Sequence, residues 1–136
     1  MMNPPSFLAA SAFVVLGGGL GAWLRYVAGL AIGRGIGPAA ALQFPWATLS
    51  VNLIGSLAMG LLIGWLARHG SGGEQWRLLL GVGVLGGFTT FSAFSLELAL
   101  LIERGTLLAA FAYALLSVLA GLIALFAGLS IARVAA

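Results

Sequence analysis

The sequence predicts an all-α integral membrane protein of four transmembrane helices, the third of them broken, built as one domain over residues 1–136. Two observations lead there. Of the 136 residues, 62% are hydrophobic and only 7% charged, with a mean hydropathy of +1.16. An average soluble domain carries about 25% charged residues, so these few could not cover a water-facing surface. The second observation is spacing. A helix needs about 20 apolar residues to cross a hydrocarbon core, and four uncharged stretches qualify: Phe7–Leu24, Phe44–Ala67, Leu78–Leu96 and Gly105–Ala132.

With their flanks, these stretches give helices over about 7–33, 45–68, 75–104 and 106–132. The first begins after Met1-Met2-Asn3-Pro4-Pro5-Ser6, which has no positive residue and so makes a poor signal peptide; a retained helix is expected. Arg25 and Arg34 follow its apolar part, and Gly37-Pro38 and Phe44-Pro45 punctuate the first connection. The second helix ends at a loop of Arg68, His69, Gly70, Ser71, Gly72, Gly73 and Glu74, and Glu103-Arg104-Gly105 makes a tight third turn. Trp23, Trp46, Trp65 and Trp76 lie toward span ends, as aromatic-belt residues do.

Orientation follows the Lys/Arg bias of the loops. Four spans put Arg68, Arg77 and Arg133 on one side and Arg25, Arg34 and Arg104 on the other, which is no bias. Dual topology and a single topology fixed by other features both stay open. Four helices leave little room for a wet pore, so an oligomer is expected, associating through small residues. Gly17/Gly21, Gly29/Gly33, Gly60/Gly64 and the seam Ser117–Gly121–Ala124–Gly128 have the spacing for it.

Several function classes drop out. With no cysteine there is neither a disulfide nor a thiolate metal site. Six scattered arginines against three glutamates lack the clustered basic face that nucleic acid requires. His69 stands beside Arg68 with no catalytic or metal partner, and Gly17-Gly18-Gly19-Leu20-Gly21 opens no strand–helix unit of the nucleotide-binding kind. The sequence holds no enzyme constellation.

Polar residues at membrane depth are costly and face a bundle interior or an aqueous path. Thr48, Asn52 and Ser56 recur every four residues on one face of the second helix. The Asn52 amide offers two N–H donors to an anion, or serves as interhelical glue. On the third helix, Gly86-Gly87-Phe88-Thr89-Thr90-Phe91-Ser92-Ala93-Phe94-Ser95 weakens the helix at mid-span. A break there would free backbone carbonyls for a cation. Phe91 and Phe94 share one side of a turn and present electropositive ring edges, and Glu97 lies one turn on, with Arg25 its nearest opposite in kind. Tyr113 and Ser117, four apart on the fourth helix, offer hydroxyls to the same path, unless Tyr113 is an interfacial anchor.

In Gly21-Ala22-Trp23-Leu24-Arg25-Tyr26, in Thr48-Leu49-Ser50-Val51-Asn52-Leu53-Ile54-Gly55, in the third-helix decapeptide and in Glu103-Arg104-Gly105, the chain resembles the Fluc family of fluoride channels, also called CrcB proteins. The resemblance covers essentially the whole chain. It implies a single transmembrane channel domain, an antiparallel dual-topology homodimer in the lipid bilayer of a bacterial inner membrane, and two fluoride pores lined by both subunits. It further implies a structural sodium ion at the dimer centre, held by the backbone carbonyls of Gly86 and Thr89. Asn52, Phe91 and Phe94 match the pore residues, Thr48, Tyr113 and Ser117 a polar track, Arg25 a vestibule cation and Glu97 a carboxylate beside the path. One departure is Gly121, where the family's track can continue with a second serine.

The function so implied is passive fluoride export that reduces fluoride toxicity. Two rivals remain at this stage: a small dimeric proton-coupled exporter using Glu97, and a non-transporting assembly subunit whose polar seam is only glue.

Overall fold

The computed structural model describes residues 5–69 and 73–134; Gly70, Ser71 and Gly72 of the second loop, with residues 1–4 and 135–136, lie outside the described residues. Four helices are long and apolar enough to cross a membrane: Phe7–Ile36, Trp46–Arg68, Gly73–Glu103 and Leu107–Val134. They are called here the first to fourth spans.

The first span starts at Ser6, whose hydroxyl accepts from the Ala9 N–H at 3.3 Å, satisfying one of the orphan donors of a helix start. It ends at Gly37, where φ is +81°. That is three residues beyond the end expected from the sequence, because Arg34, Gly35 and Ile36 continue the helix until a positive φ and Pro38 stop it. Between the first two spans lies a short helix, Pro38–Gln43, with proline at its first position; the sequence showed this segment only as punctuation.

The third span is the irregular one. Gly73–Trp76 is α-helical, Arg77–Leu85 is wound as a π-helix, and Gly86–Phe88 returns to α. The wide turns show in the Gly86 N–H, which reaches back five residues to the Gly81 carbonyl. The helix then stops. Thr89 (φ −83°, ψ 158°) and Thr90 (φ −150°, ψ 123°) are extended, and a second helix runs over Phe91–Glu103. The break therefore falls within the expected decapeptide, at its two threonines and not at its glycine pair. Gly86 itself is helical, at φ −63° and ψ −37°.

What the glycines do instead is let helices approach. A Cβ on Gly87 would run into the Gly18 carbonyl, and one on Gly21 into the Val84 carbonyl. Gly60 against Leu125 and Gly128 against Leu57 do the same between the second and fourth spans, which share the most extensive contact in the chain. Close backbone approach gives the van der Waals contact that holds helices together where lipid removes the hydrophobic force.

The third turn is a Schellman closure. Gly105, at φ +74°, donates to the Ile102 carbonyl at 2.9 Å, and the Thr106 N–H donates to Leu101 at 3.0 Å. Among the described residues few side chains are buried. Leu49, Leu101, Ala110 and Tyr113 form a small core at the end of the bundle nearest the third turn, where the second and fourth spans begin and the third ends. Large apolar side chains such as Phe111, Ile123 and Phe126 stand outward, as expected of a chain whose solvent is lipid.

Candidate functional site

The break is stitched to the second span by Asn52. Its Oδ1 accepts the Thr90 N–H at 2.8 Å, and its Nδ2 donates to the Thr90 carbonyl at 3.0 Å. One of the two N–H donors expected to face an anion is thus engaged, and the other has no partner among the described residues. Thr90 then caps the following half-helix, its hydroxyl accepting from the Ala93 N–H at 3.2 Å. The N-terminal, electropositive end of Phe91–Glu103 accordingly lies in mid-span beside Asn52.

A cavity of about 340 Å³ opens there, lined among others by Asn52, Ser56, Thr89, Phe91, Phe94 and Ser117. Phe91 and Phe94 have ring centroids 5.6 Å apart and planes tilted by 39°. The Ser117 hydroxyl is buried and, among the described residues, finds no hydrogen-bond partner. Such a group costs about 1–3 kcal/mol when left without a partner, so the cavity wall carries an unpaired polar atom. At Gly121, a Cβ would meet only the Ser56 Oγ, at 3.7 Å. The hydroxyl that this position lacks is faced by one from the second span.

Glu97 does not pair with Arg25. Its two carboxylate oxygens accept from hydroxyls, Oε1 from Thr48 at 2.7 Å and Oε2 from Tyr113 at 2.7 Å. Tyr113 is fully buried, with its ring 5.0 Å from Phe94 and edge-on to Phe44 at 5.5 Å. It is no interfacial anchor, and its hydroxyl serves Glu97. Arg25 lies on the other side of the break, in a cavity lined by Thr48, Thr90, Ser92, Ala93 and Leu96. A smaller cavity of about 190 Å³ reaches Glu97 from the far end, past Phe44, Trp46 and Arg104. The Arg104 guanidinium donates to the Leu42 carbonyl at 3.1 Å, fastening the short helix over that opening.

Eight of the ten expected residues fall into two groups, and Arg25 and Gly86 belong to neither. Asn52, Thr89, Phe91, Phe94 and Ser117 share the central cavity, while Thr48, Glu97 and Tyr113 form a hydrogen-bonded cluster beside it. Thr90, which lines the cavities on both faces of the break, was missed as a site residue. Its signal was a threonine immediately before an apolar helical run, the usual N-cap pattern. Phe44 and Arg104 were also missed, because each reads from sequence as ordinary loop punctuation. Of the two residues named for their carbonyls, Thr89 is the first residue of the break and Gly86 opens the helical turn before it. The Gly86 carbonyl loses the Thr90 N–H that a continuous helix would give it, since that N–H goes to Asn52. Among the described residues no group of three or more His, Cys, Asp or Glu is arranged to hold a metal.

Residues 12–129 match the family described as CrcB-like protein, Camphor Resistance (CrcB). The chain is 60% identical over 126 residues to a protein of Novosphingobium aromaticivorans named fluoride-specific ion channel FluC, covering 93% of this chain and 98% of that one. Proteins of the same name from Sphingopyxis alaskensis and Mesorhizobium japonicum are 54% and 52% identical over 120 residues, covering 88% of this chain and 92% and 93% of theirs.

Proposed function

The chain belongs to the CrcB family, and from that premise we propose that it is a fluoride-selective channel, carrying fluoride passively out of a bacterial cell and reducing fluoride toxicity. It is a multi-pass membrane protein whose work is transport and not catalysis. The observation that carries the proposal is the mid-span break at Thr89–Thr90. Irregular backbone is tolerated at membrane depth only where it is buried in protein or lines a cavity. Here it aims a helix N-terminus, the second Asn52 N–H and the Ser117 hydroxyl into one space.

Each group has a task. Fluoride is small and strongly hydrated, so a path must replace several strong hydrogen bonds. Arg25 attracts the anion toward the break, and hydroxyls and the Asn52 amide take the place of its water. The edges of Phe91 and Phe94 carry positive quadrupole potential without a full charge that would hold the ion too long. A narrow, donor-rich path refuses a larger anion by the logic of other filters. Glu97, its two oxygens occupied by Thr48 and Tyr113, keeps those hydroxyls in register beside the path.

The working unit is a homodimer, antiparallel in keeping with the even division of arginines between the two sides. In the single chain Phe91 is 79% exposed and Gly86 is exposed, so the face of the break lacks a cover that a second copy supplies. Sodium suits the centre of such a dimer. The carbonyls of Gly86 and Thr89 are hard oxygen donors, Gly86 released by the break and Thr89 turned off the helix by its extended ψ. When bound, the ion ties the subunits together by charge.

The test is fluoride efflux from liposomes holding only this protein, with chloride as the control and no proton gradient. Loss of fluoride without loss of chloride supports the channel. No flux in either would refute it.

A further inference from the structure

We infer that Asn52 is the latch that keeps the third span broken, a positioning residue for the released carbonyls as well as a lining residue of the cavity. The inference rests on the channel reading for its purpose, but its geometry stands apart from it. The helical ladder is intact up to the residue before the latch: the Thr89 N–H donates to the Leu85 carbonyl at 3.0 Å. The next donor, Thr90 N–H, has the Gly86 carbonyl as its natural acceptor. It goes instead to Asn52 Oδ1 at 2.8 Å.

The shape of the side chain explains why one residue suffices. In an extended residue the N–H and C=O point to the same side, as in the paired positions of an antiparallel ladder; in a helix they point in opposite directions along the axis. A primary amide presents a donor and an acceptor side by side. Asn52 therefore matches both backbone groups of Thr90 only while Thr90 is extended, at φ −150° and ψ 123°. Thr90 is 9% exposed, and at membrane depth no bulk water competes for its backbone groups. Without the amide, the available way to satisfy the N–H is to give it to Gly86 and close the helix, and the Gly86 carbonyl is then withdrawn from any cation. The residue that offers an N–H to the cavity thus also sets the neighbouring carbonyl pair, so conduction and cation binding are tied to one side chain.

The experiment is backbone NMR of isotopically labelled protein in lipid nanodiscs, wild type against Asn52→Ala. In the wild type the Thr90 Cα secondary shift has the sign of extended backbone, and in Asn52→Ala it changes to the helical sign. Thermal stabilisation by sodium chloride over choline chloride is lost in the same variant. An extended shift retained at Thr90 in Asn52→Ala overturns the latch. If that variant does not yield folded protein, Asn52→Asp keeps the size and the acceptor but places a carboxylate against the Thr90 carbonyl. It moves the Thr90 shift toward the helical value, and an unchanged shift again overturns the proposal. The outcome is separable from failure of the channel reading, which is decided by wild-type flux alone.

Discussion

Tyr113→Phe isolates one hydrogen bond in the cluster beside the cavity. Tyr113 is fully buried, its ring packed on Phe94 and Phe44, and phenylalanine keeps that packing. What is lost is the O–H bond to Glu97 Oε2 at 2.7 Å. Hydrogen bonds to charged groups contribute about 1.5–3 kcal/mol, and a buried acceptor left behind adds its own penalty. The expected destabilisation is about 2 kcal/mol. In a Glu97→Leu background the tyrosine hydroxyl is itself the orphan, and Tyr113→Phe becomes neutral or stabilising there. The coupling between the two positions is then at least about 1.5 kcal/mol, well above the roughly 0.5 kcal/mol scatter of independent sites. Reversible unfolding of the four proteins of this cycle in detergent micelles measures it. An equal cost of Tyr113→Phe in both backgrounds would show that hydroxyl and carboxylate do not meet, and the Thr48–Glu97–Tyr113 cluster would be refuted.

Two glycines separate packing from mere composition. A Cβ at Gly21 meets the Val84 backbone carbonyl, whereas one at Gly33 meets nothing within 4 Å. Gly21→Ala should lower stability by about 1–3 kcal/mol, the usual cost of overpacking, and Gly33→Ala should leave it unchanged or raise it slightly through helix propensity; comparison of their melting temperatures tests this. Glu97→Gln keeps an acceptor for one hydroxyl and removes the titrating group. Downhill fluoride flux from liposomes should persist in it with no proton gradient, while complete loss of flux, with the fold intact, would return the proton-coupled exporter to contention.

Much of this was legible because bilayer physics acts on composition. Four apolar runs of sufficient length admit few soluble alternatives, and the spans in the structure follow them closely. The site was legible by residue type, since Asn52, Glu97 and the threonines are conspicuous among aliphatic neighbours. Their pairings were not. Glu97 was matched with Arg25 by charge, but the helix rotations that turn it toward Thr48 and Tyr113 depend on packing between the spans. The break was legible as falling within residues 86–95, but not at which residues. Gly86-Gly87 has the weaker local propensity, yet the helix survives there because Gly87 fits tightly against Gly18. It fails at Thr89–Thr90, where a side chain 38 positions away captures the backbone. Local propensity cannot register so distant a competitor. The π-helical winding of Arg77–Leu85 left no trace in the hydropathy pattern either.

Only Arg104, Gly105 and Thr106 separate the broken span from the fourth helix, and the Schellman bonds lock their reversal. A connection so short gives the fourth helix no freedom to move apart from the third. Any rotation or sliding of the half-helix Phe91–Glu103 is therefore passed directly to the start of Leu107–Val134, so the backbone break and the fourth-span hydroxyls shift as one lever.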